Sequence, residues 1–132
     1  SDQNLNNIIS LLDSEDVIKK KINKSVTDSD NNIQLNDDKP GISNLINIYA
    51  SLTGKKIKEI ESYYEGKLYS DFKSDLSETI IESLAPIQSE YNKIIKDKKY
   101  LDDILKDGSS KASYIARRTI SKVYRKVGFI KK

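Results

Sequence analysis

Apolar residues recur three or four positions apart along most of this chain, which is the spacing of one face of an α-helix. The regular alternation of apolar and polar residues that marks a half-buried strand is missing. The first stripe predicts a helix over about residues 14–27, led in by the cap-like Asp13. Its apolar members are Val17, Ile18, Ile22 and Val26.

A polar segment follows up to Lys39 and predicts a loop, with a brief extended turn at Ile33 and Leu35. Pro40 then opens a helix, because proline suits the first helical position, and Gly54 lies where a C-terminal cap is expected. A shorter helix comes next and ends at Gly66. The apolar positions of these two helices are Ile42, Leu45, Ile46, Tyr49 and Leu52, then Ile57, Ile60 and Tyr64.

The longest stripe predicts one helix over about residues 69–96. Pro86 falls inside it, where it removes a backbone hydrogen bond, so we expect a kink near residues 82–86 rather than two helices. The stripe consists of Phe72, Leu76, Ile80, Leu84, Ile87, Tyr91 and Ile94 or Ile95.

Two further helices are predicted after the long one. A short helix around residues 100–105 is expected to end at Gly108, and a final one is expected to run from about Ala112 to Gly128. The apolar stripe of the final helix comprises Ala112, Ile115, Ala116, Thr119, Ile120, Val123 and Val127. Helices joined by short turns predict an all-α fold, an antiparallel helical bundle with one long Pro-kinked helix.

The amino-acid composition excludes several kinds of catalytic and metal site. The 132 residues suffice for one modest core, and the chain has no cysteine and no histidine. Nucleophile–histidine triads and zinc sites are therefore excluded. Carboxylates remain, but the adjacent pairs Asp37-Asp38 and Asp102-Asp103 diverge on a helix and predict no metal site. No stretch is apolar enough to cross a membrane and the first residues lack a basic signal-peptide start, so we expect a soluble, cytoplasmic protein with no membrane partner.

Charge is unevenly distributed along the chain. Residues 1–108 hold 15 Lys and Arg against 20 Asp and Glu, whereas residues 109–132 hold 8 against none. Such a basic helix can neutralise phosphates, with Tyr114 and Tyr124 near enough to stack on bases, and RNA is the natural partner. The alternative is that these lysines and arginines only maintain solubility and complement the helix dipole. The predicted nucleic-acid-binding residues are Lys111, Arg117, Arg118, Lys122, Arg125 and Lys126.

Short sequence runs, in order and spacing, are more specific than charge. They are Ser1-Asp2-Gln3-Asn4, Leu11-Leu12-Asp13, Val26-Thr27-Asp28-Ser29-Asp30, Lys39-Pro40-Gly41-Ile42-Ser43-Asn44-Leu45, Tyr64-Glu65-Gly66-Lys67, Asp71-Phe72-Lys73 and Pro86-Ile87-Gln88. Together they resemble the C-terminal part of bacterial tryptophanyl-tRNA synthetases, which are class I aminoacyl-tRNA synthetases. The related tyrosine enzymes are disfavoured because the runs Tyr64-Glu65-Gly66-Lys67 and Lys39-Pro40-Gly41-Ile42-Ser43-Asn44 do not look like their C-terminal part.

The resemblance implies that Ser1 is the last serine of the lysine-methionine-serine-lysine-serine loop that closes over ATP. The catalytic domain and both lysines of that loop would lie upstream, so this chain alone is expected to lack catalysis and to bind no cofactor, while the whole enzyme uses ATP with Mg²⁺. Residues 1–38 would link to the catalytic domain and residues 39–132 would form the helical domain on the tRNA anticodon side.

The same resemblance implies tRNA(Trp) and the protein's own catalytic domain as partners, in a full-length enzyme that is a homodimer. The apolar residues Ile8, Ile9, Leu11 and Leu12 are the predicted contact with that domain. The alternative to this whole interpretation is a free-standing helical interaction or RNA-binding module unrelated to aminoacylation.

Overall fold

The computed structural model describes residues 4–129, and Ser1 therefore lies outside the described residues. After a 3₁₀ turn at Leu5–Asn7, the described chain forms five α-helices: α1 Glu15–Lys24, α2 Pro40–Thr53, α3 Ile57–Tyr63, α4 Tyr69–Lys96 and α5 Lys98–Val127. No strand occurs within residues 4–129. The prediction of an all-α helical bundle is confirmed.

The chain is divided into two compact units, residues 1–89 and residues 90–132. The predicted division between a linking segment, residues 1–38, and a helical domain, residues 39–132, is a different one and stays a prediction. In the first unit, α1 and the loop before α2 contribute Ile18, Ile22 and Ile33 to the same hydrophobic core as α2, α3 and α4. Burial of these side chains, at about 1.5–3 kcal/mol each, is the main stabilising contribution of the segment before α2.

The helix ends in this first unit follow from local sequence. Pro40 is the first residue of α2, and Gly54 caps it in the left-handed conformation at φ 69°, as predicted. Gly66, at φ 76°, follows α3 as predicted. Helix α1 is shorter than the predicted 14–27, and its N-cap is Ser14 rather than Asp13. Asp13 instead accepts hydrogen bonds from the Ser10 amide and the Lys21 ammonium.

The loop between α1 and α2 is held by polar contacts that reach across the chain. The buried Lys73 of α4 donates to the Ser25 carbonyl at 2.8 Å and to the Thr27 hydroxyl at 3.3 Å. Burial lowers the pKa of this lysine. Because a buried ammonium needs hydrogen-bond acceptors, Lys73 fixes the backbone that follows α1.

Asp28 is the centre of a second group of contacts to the same loop. Its Oδ1 accepts from the Tyr69 hydroxyl at 2.8 Å and from the Lys39 ammonium at 3.3 Å, and Lys39 also contacts Asp30 at 2.8 Å. The hydrogen bond from the Asp30 amide, with those from Tyr69 and Lys39, lowers the pKa of Asp28. The beginning of α4 and the residue before α2 are thereby joined through one carboxylate.

A tyrosine pair occupies the part of the core between α2, α3 and α4. The Tyr64 hydroxyl donates to Oδ2 of Asp75 at 2.6 Å and lies 3.5 Å from the Tyr49 hydroxyl. Phe72 packs edge-on against both rings, with centroids 4.9 Å from Tyr64 and 5.7 Å from Tyr49. Burial, followed by the contact with Asp75, strongly raises the pKa of Tyr64.

Helix α4 continues through Pro86 as one element of 28 residues, which confirms the predicted long helix. The kink expected there stays a prediction. The apolar stripe of α4 is buried only as far as Ile80, with Leu84 partly buried. The remaining stripe positions are exposed: Ile87, Tyr91, Ile94 and Ile95.

The second unit contains α5, and here one prediction is wrong. Gly108 does not end a helix, because α5 runs unbroken from Lys98 to Val127. A glycine ends a helix when it turns into the left-handed region, and the glycines with positive φ are Gly54, Gly66 and Gly128. A helix tolerates an interior glycine at a cost of about 1 kcal/mol when its neighbours favour helix. The final apolar stripe is exposed, and α5 has no buried residue.

Candidate nucleic-acid interface

Helix α5 presents the residues predicted to bind nucleic acid. Its N-cap is Asp97, whose carboxylate accepts from the Tyr100 amide at 2.9 Å, and its C-cap is the left-handed Gly128. Arg125 and Lys126 lie in the last turn, where positive charge complements the negative end of the helix dipole. All six predicted residues lie on this helix and are exposed, namely Lys111, Arg117, Arg118, Lys122, Arg125 and Lys126.

Five of the six share one side of α5, which we call the basic face: Lys111, Arg118, Lys122, Arg125 and Lys126. Each helical residue advances about 100° around the axis, so Arg117 points away from this face by roughly one residue step. By the same geometry Ile115, which we had assigned to the apolar stripe, falls within the basic face. Ile115 is 64% exposed there.

Arg117 belongs instead to a shallow groove beside the basic face. This serine groove is lined by Ser109, Ser110, Ser113, Tyr114, Arg117, Arg118 and Ser121. Hydroxyl and guanidinium groups are common donors to phosphate oxygens in complexes with nucleic acids. Sequence analysis missed the serines, although Ser110, Ser113, Arg117 and Ser121 follow one another at intervals of three or four residues, which place them on one side of a helix.

The cations of this surface differ in how far they are neutralised. Lys111 pairs with Asp107 one turn earlier, at 2.6 Å. Arg125 donates from Nε to the Ser121 carbonyl at 3.3 Å, a contact that leaves its charge in place. Among the residues that the structure describes, no carboxylate pairs with the other five cations of the predicted set. The surface therefore keeps most of its positive charge available for an anion.

The two tyrosines proposed for base stacking lie in different settings. Tyr114 borders the serine groove and is 68% exposed. Tyr124 is 38% exposed and packs edge-on against Phe129, with ring centroids 6.0 Å apart. Tyr114 has the more accessible ring of the two.

The residues predicted to contact the catalytic domain differ in their exposure. Ile8, Leu11 and Leu12 are exposed, as expected of a contact surface, but Ile9 packs against the core of the first unit. Between residues 4 and 129, no group of three or more Asp, Glu, His or Cys side chains is placed to hold a metal ion. No described helix is both long and apolar enough to cross a membrane.

Comparison with known proteins identifies the class to which this helical chain belongs. A family model described as "tRNA synthetases class I (W and Y)" matches residues 1–85. The chain belongs to this family.

Individual relatives are similar over the whole chain. A tryptophan–tRNA ligase of Clostridium acetobutylicum is 49% identical over 130 residues, which is 98% of this chain and 39% of that protein. One from Listeria monocytogenes is 46% identical over 133 residues, which is 100% of this chain and 40% of that protein. The chain thus spans about 40% of the length of these relatives.

A solved structure agrees with these sequence relatives. The crystal structure of tryptophanyl-tRNA synthetase from Mycoplasma pneumoniae matches with a TM-score of 0.67 and 28% identity, over 98% of this chain and 40% of that one. The likeness found in the short sequence runs therefore extends to the three-dimensional fold.

Proposed function

We propose that this chain is the C-terminal helical part of a tryptophan–tRNA ligase, and that its α5 surface contributes to the binding of tRNA(Trp). The observation that carries the proposal is a surface of six exposed cations, five of them without a carboxylate partner among the described residues, beside a serine groove, on a chain that matches tryptophan–tRNA ligases over 98–100% of its length. Phosphate contacts by Lys and Arg supply most of the sequence-independent affinity for nucleic acids. The described residues therefore supply binding rather than bond-making chemistry.

In the whole protein, tryptophan would be attached to its tRNA in an ATP-dependent reaction, with Mg²⁺ accompanying the nucleotide. Ser1 is the one residue of this chain that we assign to the ATP-binding site. We assign it there because it would be the last serine of the signature loop. The segment before α2 would link to the catalytic domain, through the exposed Ile8, Leu11 and Leu12. A cytoplasmic location and a homodimeric full-length enzyme belong to the same proposal.

The binding part of the proposal is tested by titrating the chain with a tRNA(Trp) transcript between 50 and 200 mM salt. With four phosphate contacts, affinity should fall roughly 50- to 150-fold over this range. Changing Arg117, Arg118, Lys122 and Arg125 together to Ala should abolish most of that salt dependence. The matched control changes four exposed lysines of α1 and α3, namely Lys19, Lys20, Lys24 and Lys58. Equal affinities for the two quadruple variants would show that α5 is not the binding surface.

The assignment of the reaction has its own test. Tryptophan-dependent pyrophosphate exchange should require the full-length enzyme. Exchange by residues 1–132 alone would overturn the division of labour proposed for this chain.

A further inference from the structure

A second group of cations gathers around one exposed tyrosine in the first unit. Tyr63, the last residue of α3, is 59% exposed. Its ring packs edge-on against Tyr64, with centroids 4.8 Å apart and an interplanar angle of 89°. Because Tyr64 is itself buried and bonded to Asp75, the position of the Tyr63 ring is set by the core.

Two lysines are directed to this ring from different turns. The Lys67 ammonium lies 3.5 Å from the centroid of Tyr63, and the Lys55 ammonium lies 5.8 Å from the same centroid. Each lysine directly follows a left-handed glycine, Gly54 or Gly66. The second turn is closed by a 3.0 Å hydrogen bond from the Lys67 amide to the Tyr64 carbonyl. Cations are attracted to the face of an aromatic ring within about 6 Å, so both contacts are favourable.

The two carboxylates of α3 accept backbone hydrogen bonds. Glu59 accepts a hydrogen bond from the Lys56 amide at 3.3 Å, and Glu61 accepts one from the Leu35 amide at 2.9 Å. Glu65 is exposed in the same turn. Within residues 4–129, neither Lys55 nor Lys67 has a carboxylate as an ion-pair partner. Both ammonium groups therefore lie within 6 Å of a ring that does not neutralise them, and Lys55 lies equally near, at 5.8 Å, to the ring of the buried Tyr49.

We propose that Lys55, Tyr63 and Lys67 form a second RNA-contact site, in which the two ammonium groups bind backbone phosphates and Tyr63 positions them. The identification of the ligand as RNA rests on the function proposed above. The positions of the two lysines beside Tyr63 are observed independently of that function. An exposed pair of ammonium groups holds a single phosphate ion weakly, but RNA presents many phosphates and makes such contacts useful. The site lies on α3 and the turns that flank it, and shares no residue with the α5 surface.

The test is the same tRNA(Trp) titration with a K55A/K67A variant. Loss of two phosphate contacts should reduce the log–log salt slope by about 1.4 to 1.8, so the affinity deficit relative to wild type should shrink roughly 7- to 12-fold between 50 and 200 mM salt. A K19A/K58A variant removes the same charge from exposed positions and should bind within about twofold of wild type.

Tyr63 is tested separately, because its role is positioning. Y63F keeps the aromatic face and should keep the affinity, whereas Y63L should weaken it roughly threefold, the size of an exposed cation–π contact. Lys55 and Tyr63 are exposed and Lys67 is half-buried, so each variant should lose about 1 kcal/mol of stability or less, measured by circular dichroism.

The outcomes separate this site from the α5 proposal. If the α5 quadruple variant weakens binding but K55A/K67A matches K19A/K58A, the second site is wrong and the α5 surface stands. If K55A/K67A alone weakens binding, the second site stands and the α5 assignment is wrong. If wild type does not bind tRNA(Trp) at 50 mM salt, both proposals are overturned.

Discussion

The Tyr69 hydroxyl donates a 2.8 Å hydrogen bond to Oδ1 of Asp28, and this contact joins the first residue of α4 to the loop that follows α1. The same hydroxyl lies 3.0 Å from the Asn32 carbonyl. The tyrosine is buried, and this burial raises its pKa. One phenol therefore holds two points of the loop against the helical core.

Replacing Tyr69 by Phe should destabilise the chain by about 1–2 kcal/mol, because two partly buried hydrogen bonds lose their donor while the ring still packs. Urea unfolding followed by circular dichroism measures the change. Tyr91→Phe is the control, since Tyr91 is 43% exposed, and it should alter the free energy of unfolding by less than about 0.5 kcal/mol. Equal stability of the two variants would contradict the importance of the Asp28 contact.

Gly41→Ala should be destabilising by about 1–3 kcal/mol, because a Cβ there would collide with the Val26 carbonyl oxygen, a backbone atom. Gly108→Ala is the matched control in another helix. A Cβ at Gly108 meets no atom within 4 Å. That substitution should therefore stabilise α5 by about 1 kcal/mol or less through helix propensity. Thermal unfolding of both variants checks the opposite signs.

Tyr64→Phe should change how stability depends on alkaline pH. The folded-state pKa of Tyr64 is raised above its ordinary value of 10.0, chiefly by burial. The unfolded chain therefore loses this proton first, and the associated stability, complete below pH 10.0, is lost as pH rises further. The pKa of Lys73 is lowered by burial, so the contribution of this lysine to stability increases with pH up to its ordinary pKa of 10.5. This contribution is the same in wild type and in Y64F.

The measurement is the free energy of unfolding between pH 8 and 11 for wild type and Y64F. Y64F should be less stable near neutrality, because Asp75 loses its donor, yet its stability should fall less steeply above pH 10. Parallel curves would show that Tyr64 does not carry the alkaline sensitivity.

Lys111 and Arg118 should contribute unequally to RNA binding although both lie on the basic face. Asp107 already pairs with Lys111, so Lys111→Ala should change the salt slope of tRNA(Trp) binding by less than Arg118→Ala does. The expected change for Arg118→Ala is about 0.7–0.9 in the slope, the value for one phosphate contact. A D107N variant should raise the contribution of Lys111. Equal slopes for the two alanine variants would show that the ion pair does not persist in the complex.

Local sequence was sufficient for the elements whose ends are set by one or two residues. Pro40 and Gly54 bound α2 as expected, because each acts through its own backbone angles. The prediction that a helix ends at Gly108 was wrong because this glycine does not fix its own backbone angles. Its conformation depends on whether the neighbouring residues continue the helix, and they do.

Long-range contacts could not be read from spacing. Asp28 and Tyr69 are far apart in sequence, and no periodic pattern connects them. At the candidate interface, the charges were found from composition, since all of them lie on one helix. The Lys55–Tyr63–Lys67 cluster was not found from the sequence. Its two lysines reach the Tyr63 ring from separate turns, each of which begins at a left-handed glycine.

Helix α5 buries no side chain over its 30 residues, a length of about 45 Å. A helix with no fully buried residue depends largely on its own backbone hydrogen bonds and caps, and isolated helices are marginal in water. Its helix–coil equilibrium is therefore open to bias by any surface that it meets. Phosphates that neutralise its crowded cations would shift this equilibrium toward the helix, so binding RNA and completing the fold of α5 would be a single thermodynamic event.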